Sequence, residues 1–349
     1  MNERYNTIVE QIKKWYNDNT EDKNILQSLF AQAYLRENEI VDRSEDLKKG
    51  TKYSNLSNKE FSNLFATKNF NNINKTDIKH LFQELHNRYM HNKGYEPTRN
   101  VAVVDSKDKS LDTTYGYVCY ADDLLFINKS AIDKAKLINP QDKNLNKTNL
   151  GISLMFIIMH ESQHVTQYET ALDYAMGVKQ NKDDAFLGAM GVIKNTNFVI
   201  SDAKNDEKYI NEWQNNYNYR FVEHNANYSA FEKAMKEIPE SEKKGFSFDQ
   251  YNVFTTLLSL RMYSTSKESI EKRITEMEKV ALKEIDYFKK GTKKCPLKDK
   301  TLKTVNSYME KDENGNSRFR DILRNQITKI AEVSAEAQRN VDEQKALTM

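Results

Sequence analysis

The sequence has few of the residues that interrupt regular structure. Only 4 prolines and 10 glycines occur among its 349 residues. An all-β domain needs a turn signal roughly every 8–12 residues, so this scarcity favours long helices. The predicted fold is therefore predominantly helical.

Cysteine, net charge and long apolar runs are also scarce. Cys119 and Cys295 are the only two cysteines and make no disulfide framework. The 53 basic and 51 acidic residues leave a net charge of +2, which gives no reason to expect a nucleic-acid or membrane-surface partner.

The longest nearly apolar stretch, 151–159, is far too short to span a bilayer. Because the amino terminus lacks the apolar core of a secretory signal, we expect a cytoplasmic protein, although export without such a signal stays open.

Apolar periodicity divides the chain into three predicted parts. Residues 1–95 have the pattern of a helical extension, and residues 241–349 are helical again. Residues 96–240 form the core, in which three short runs within 101–128 predict a small antiparallel or mixed sheet. The fold class is therefore α+β, with most residues in helices. Two further predictions concern single segments: one continuous helix over 206–236, and a lysine-rich loop over 289–303.

The strongest chemical signal is the segment His160-Glu161-Ser162-Gln163-His164. Histidines at i and i+4 lie one helical turn apart, so both imidazoles can reach one zinc ion at ~2.1 Å. Glu161, rotated by about 100°, can take a proton from a water molecule that zinc activates. The residues before His160 are apolar on every side, which predicts a buried and rigid helix. The alternative is a pair of helix histidines on a solvated face.

A third zinc ligand has to come from elsewhere in the chain. In the pattern HExxHxxGxxH it is a histidine, but Gln167 and Thr170 occupy the glycine and histidine positions here. The best candidate is Glu223, which lies 223 − 164 = 59 residues after the second histidine. Small residues share its flank of a predicted helix and allow close approach of a second helix: Ala226, Ala230 and Ala234.

This pattern resembles the gluzincin branch of the zincin metallopeptidases, in which HExxH is followed on a later helix by a ligand Glu and, four residues on, by an Asp. Here Asn227 stands at the Asp position, and Asn225 is the alternative support for a metal-bound histidine. The resemblance implies a zincin-like core with a Zn²⁺ cofactor and a small sheet whose edge strand binds extended substrate. That strand would be 115–120 or 124–127.

Several other residues have more than one interpretation. His224 fits a hydrogen-bonded core residue, a metal ligand or a group that stabilises the oxyanion. Tyr217 and Tyr228 are further oxyanion candidates, although aromatic residues at helical spacing usually belong to a core. Three histidines on or after the helix before the sheet are predicted to be surface or interface residues: His80, His86 and His91. The lysine-rich loop is predicted to be solvated rather than a phosphate-binding site.

Together these residues predict a zinc-dependent peptidase with catalytic residues Glu161, His224 and Tyr228 and metal ligands His160, His164 and Glu223. Its partner would be a protein or peptide substrate, and the helical extensions would suit a regulatory protein. A regulated processing protease and a toxin or effector are both compatible with these features. The alternative is a catalytically silent zincin-fold binding or scaffolding module. The intact Glu161 favours the enzyme, because its loss would be the simplest way to lose activity.

Overall fold

The structure is a computed structural model that describes residues 50–70, 72–97, 100–104, 116–119, 124–128, 150–239, 266–292 and 297–348. Most of these residues are helical, which confirms the predominantly helical character. The predicted helices within residues 1–40 lie outside this description. The described helices are α1 (Asn58–Asn63), α2 (Thr67–Phe70), α3 (Lys75–Asn92), α4 (Leu150–Met176), α5 (Lys182–Lys204), α6 (Glu207–Asn215), α7 (Phe221–Glu237), α8 (Lys267–Gly291), α9 (Lys298–Met309) and α10 (Arg318–Thr348).

Side-chain caps fix where several helices begin. Helix α1 starts with a capping box, in which Ser57 accepts from the backbone of Glu60 and the Glu60 carboxylate accepts from the backbone of Ser57. Asn74 caps α3 and Ser266 caps α8, and each side chain accepts from a backbone N–H three residues on. These short polar side chains satisfy donors that the first helical turn leaves unpaired.

Three short strands form one mixed sheet in the order β1-β3-β2. Strand β1 (Asn100–Val104) pairs in parallel with β3 (Leu124–Asn128), and β2 (Gly116–Cys119) pairs with β3 in the antiparallel direction. Because β3 is paired on both sides, residues 124–127 cannot accept a further strand. Their prediction as a substrate-binding edge is therefore wrong. Strand β2 is an edge of the described sheet.

The described residues fall into two compact units. One, here called the sheet unit, comprises described residues within 50–165, 226–239 and 328–348. The other, here called the helical unit, comprises described residues within 166–225 and 266–327. The predicted boundaries after residues 95 and 240 stay predictions.

Aromatic residues form the core of the sheet unit. Phe65 packs between Phe61 and Phe70, with ring centroids 5.6 and 6.2 Å away, and Phe70 stacks on Phe82 of α3 at 6.5 Å. All four rings are buried. Strand β1 is tied to the same core, because the Val101 N–H donates to Gln83 Oε1 at 2.8 Å.

The helical unit has a second aromatic core and one very close helix contact. The Phe186 ring stacks on Tyr308 at 4.3 Å and also meets Phe221 and Phe319. Glycine allows α5 to lie directly against α4. A Cβ at Gly188 would lie 2.6 Å from the Tyr174 Cβ, which is shorter than any real contact.

Two predictions about single segments are wrong. The helix predicted over 206–236 is interrupted after α6 by the 3-10 turn Tyr217–Tyr219 and by Arg220, which is extended. The asparagines and tyrosines in this stretch have low helix propensity, and Asn216 uses its side chain to donate to Glu212 O at 2.8 Å. The lysine-rich segment is also largely helical, because α8 extends to Gly291 and α9 begins at Lys298.

None of the described helices is both long and apolar enough to cross a bilayer.

Candidate metal centre

Helix α4 holds the HExxH residues in a largely buried environment. Residues 156–159, which precede the motif, are all buried. Glu161 and His164 are only 7% and 8% exposed, and His160 is half-buried. A pair of histidines on a solvated helix face does not describe this arrangement.

The two histidine rings converge at their outer nitrogens. The Nε2 atoms of His160 and His164 are 3.1 Å apart, and the ring planes are perpendicular. At this distance either one nitrogen donates a hydrogen bond to the other, or both lone pairs face one cation. Two nitrogens bound to a tetrahedral zinc ion at ~2.1 Å would be roughly 3.4 Å apart. The observed separation is therefore close to what a shared zinc ion needs.

Glu223 supplies the third potential ligand atom. One atom each from His160, His164 and Glu223 lie within 4.8 Å of one another. Glu223 is 2% exposed and lies in the first turn of α7, immediately after the interruption at Arg220. No other group of three such side chains is present in the described part of the chain. The structure thus brings together the three residues that the sequence predicted as ligands.

A glutamine of α4 fixes the position of the α7 backbone beside Glu223. The Gln167 Nε2 donates to Val222 O at 2.7 Å and to Asn225 Oδ1 at 2.9 Å. Gln167 occupies the position at which the longer histidine motif has glycine, so its amide has a structural use here. Asn225 thus accepts from Gln167, and its predicted support of a metal-bound histidine stays a prediction.

Sequence reasoning missed one charged residue beside Glu223. Lys194 of α5 places its Nζ 3.3 Å from Glu223 Oε1. Nothing in the sequence distinguishes it, because α5 was not predicted as a separate helix and Lys194 is one of many lysines.

The predicted general base lies against strand β2. A Cβ built on Gly116 would lie 3.0 Å from Glu161 Cγ and 3.2 Å from Glu161 Oε1. The Glu161 carboxylate is therefore next to the edge of the sheet. The sequence predicted a nearby strand but not this glycine.

The two predicted oxyanion residues of α7 have other neighbours. His224 is 1% exposed; burial, and to a smaller extent the charge of Arg273, lower its pKa to about 3, and a hydrogen bond with Gln326 opposes this effect. The Tyr228 hydroxyl accepts from Lys329 Nζ at 3.4 Å. Tyr228 is five residues after Glu223 and so roughly 140° away around the helix axis. Neither residue belongs to the ligand group, and their oxyanion roles stay predictions.

One histidine prediction is wrong. His86 of α3 is completely buried rather than at the surface, whereas His80 and His91 are exposed. The His86 Nδ1 lies 2.8 Å from Ser162 Oγ, and that hydroxyl donates to Ile158 O at 2.6 Å. His86 Nδ1 is therefore the donor. This contact attaches α3 to α4, the helix that carries the histidine motif. The role of His86 is therefore structural.

The lysines of the segment predicted as a loop also have structural contacts. Lys300 Nζ donates to Tyr174 O at 2.6 Å and lies 4.4 Å from the centre of the Tyr174 ring. Lys298 Nζ donates to Thr292 O. These contacts use the lysine amines within the protein, so they offer no support for phosphate binding.

Comparison of the chain with known protein families, with curated proteins and with solved structures found no match.

Proposed function

We propose that this chain is a zinc-dependent peptidase whose site resembles that of the gluzincins. The observation that supports the proposal is the convergence of His160, His164 and Glu223 within 4.8 Å, with Glu161 on the same helix turn as the histidines. Two imidazoles and one carboxylate are a known ligand set of catalytic zinc, with one position left for water or substrate. Nitrogen and oxygen donors at these distances suit this ion.

The proposed chemistry depends on Glu161. Zinc, when bound, would act as a Lewis acid and would lower the pKa of water from ~15.7 towards ~7. Glu161 takes one proton from the attacking water as its oxygen adds to the peptide carbonyl carbon. The same side chain then delivers that proton to the amine nitrogen when the C–N bond breaks. Burial of Glu161 and His164 strengthens these interactions.

Strand β2 is the proposed binding edge for an extended substrate. An added strand would gain main-chain hydrogen bonds from the sheet edge. The contact between Gly116 and Glu161 supports this choice, because it places the edge beside the proposed base. A protein or peptide substrate, a cytoplasmic location and a role as a regulated processing protease or effector belong to the same proposal.

The rival proposal is a silent binding module with this fold. It draws on the ion pair between Lys194 and Glu223, because a lysine can compensate a buried carboxylate without any metal. The two proposals differ in zinc content and in cleavage.

The first experiment measures zinc per chain after the purified protein has been stripped with a chelator, reloaded and dialysed. We expect one zinc per wild-type chain and substoichiometric zinc in His164→Ala and Glu223→Ala. His80→Ala and Glu207→Ala remove the same side chains from exposed positions and should bind zinc like the wild type. A wild-type chain that holds no zinc would refute the proposal and favour the binding module.

The second experiment measures cleavage of a random peptide library by mass spectrometry. Glu161→Gln should keep its zinc and lose roughly 10²–10⁴-fold in cleavage rate, because it removes the base and not a ligand. Cleavage by zinc-loaded Glu161→Gln at the wild-type rate would exclude this mechanism.

A further inference from the structure

We propose that Lys194 is a positioning residue that orients Glu223 for metal binding. This inference rests on the proposed function. Its geometric basis is the 3.3 Å separation between Lys194 Nζ and Glu223 Oε1. A carboxylate that binds a metal through one oxygen needs its other oxygen held, and ligating carboxylates are usually hydrogen-bonded in this way.

Burial makes this contact effective. The Glu223 side chain is 3% exposed and that of Lys194 is 21% exposed, so water screens the pair weakly. A carboxylate in such a place requires hydrogen bonds or an opposite charge. Lys194, which lies on a different helix, α5, supplies both. It thereby limits rotation of the Glu223 carboxylate and stabilises its negative charge.

The lysine is itself fixed by the helix that carries it. Asn197, less than one turn after Lys194 on α5, donates its Nδ2 to Glu284 O of α8 at 2.9 Å. Gly191, on the preceding turn, allows close approach to α4, since a Cβ there would lie 2.9 Å from the Ala171 Cβ. These contacts restrict any sliding of α5 that would carry Lys194 away from Glu223.

Helix α8 also anchors the other partner of the ion pair. Arg220 directly precedes α7 and forms a buried ion pair with Glu284. Its guanidinium also lies 4.6 Å from the centre of the Trp213 ring. The first turn of α7, which holds Glu223, and the middle of α5, which holds Lys194, are therefore both attached to the same residue of α8.

This group contains two ion pairs, Lys194 with Glu223 and Arg220 with Glu284. Burial raises the pKa of Glu284, while Arg220 and, to a smaller extent, Lys194 act to lower it. The amine of Lys194 thus interacts with two carboxylates, those of Glu223 and Glu284.

The test compares zinc dissociation constants, measured by competition with a chelating dye. Lys194→Met keeps the aliphatic stem and removes the amine, and we expect zinc binding to weaken by about 10–100-fold. Lys194→Arg should restore the affinity to within a few-fold of the wild type. Lys182→Met removes an exposed lysine from the same helix and should have no effect.

A double substitution separates positioning from a general structural effect. In a Glu223→Ala background, Lys194→Met should cause no further loss of the residual affinity, because Lys194 acts through that carboxylate. A further loss would mean that Lys194 only supports the fold, and would overturn the inference.

Two other results would also overturn it while leaving the proposed function intact. One is a wild-type chain that binds zinc and a Lys194→Met variant that binds it equally well. The other is tighter binding by Lys194→Met, which would show that the lysine competes with the metal for Glu223. Absence of zinc from the wild type would instead refute the proposed function itself.

Discussion

Gly116 lies against Glu161 so closely that a single added methyl group would reach the carboxylate. The Cβ of an alanine would be 3.0 Å from Glu161 Cγ and 3.1 Å from Ile157 Cγ2. Gly116 is not among the described glycines with positive φ. The feature that matters here is therefore the missing side chain rather than an unusual backbone conformation.

Gly116→Ala should displace the Glu161 side chain without touching the metal ligands. The contact requires Glu161 to move by a few tenths of an ångström. Because misplacement of a reacting group by 1 Å can cost about 100-fold, we expect cleavage to fall by roughly tenfold. Zinc content should stay at the wild-type value. The measurement is kcat/KM on a peptide substrate together with zinc per chain.

Gly315→Ala is the control for loss of stability. Gly315 has φ of +75°, and a Cβ there would meet nothing within 4 Å. Alanine should therefore cost about 1–2 kcal/mol through backbone strain alone. If that variant lost as much cleavage as Gly116→Ala, the contact with Glu161 would not be the cause.

The histidine pair was predictable from the sequence because its geometry is local. A spacing of four residues on a helix fixes the relative positions of His160 and His164 whatever the rest of the chain does. Glu223 needed one tertiary assumption, that α7 approaches α4, and the small residues beside it made that assumption reasonable. The predicted strands at 101–104 and 124–127 depended on local β propensity and lie within one residue of β1 and β3.

The support around the site could not be predicted in the same way. Helix α5, which carries Lys194, contains two glycines and several β-branched residues, which are poor helix formers. Its helical state depends on packing, as the close contacts of Gly188 and Gly191 with α4 show. Similarly, His86 is polar, and only the position of Ser162 explains its burial. These relationships are between distant parts of the chain, so periodicity does not reveal them.

Gln167→Ala should weaken zinc binding although Gln167 is not a ligand. The change removes both hydrogen bonds to α7, those to Val222 O and Asn225 Oδ1. We expect a loss of about 1–3 kcal/mol in unfolding free energy and a zinc affinity lower by roughly tenfold. Chemical denaturation and dye competition measure the two effects.

Gln180→Ala is a matched control. Gln180 Nε2 also donates to a backbone carbonyl of α4, Thr170 O, at 2.9 Å. This variant should be destabilised to a similar extent but should bind zinc like the wild type. Equal zinc affinities for Gln167→Ala and Gln180→Ala would contradict the proposed alignment of α7.

The buried pair of Arg220 and Glu284 should show strong coupling in a double-mutant cycle. Both side chains are almost inaccessible to water. Arg220→Met or Glu284→Leu alone leaves a buried charge unpaired and should cost about 3–5 kcal/mol. The double substitution leaves neither charge and should recover most of that loss. Urea unfolding of the four proteins tests this, and strictly additive losses would show that the two side chains do not act as a pair.

His86 should make the stability of the metal-free protein depend on pH. Burial, with a smaller effect of His91, lowers its pKa from 6.5 to about 3. Between these pH values the unfolded chain takes up a proton at His86 and the folded chain does not. The free energy of unfolding therefore has its full value, as far as His86 is concerned, above pH 6.5. It decreases as the pH falls towards 3, by up to about 1.4 kcal/mol per pH unit.

His86→Gln keeps a donor for Ser162 but cannot be protonated, so the slope of unfolding free energy against pH should be smaller by about one proton between pH 6 and pH 4. The comparison uses slopes, because the substitution also changes the absolute stability. His80→Gln, at an exposed position on the same helix, should keep the wild-type slope. Chelator is present throughout, so that zinc release by His160 and His164 does not contribute. A wild-type slope in His86→Gln would show that this histidine is not buried in its neutral form.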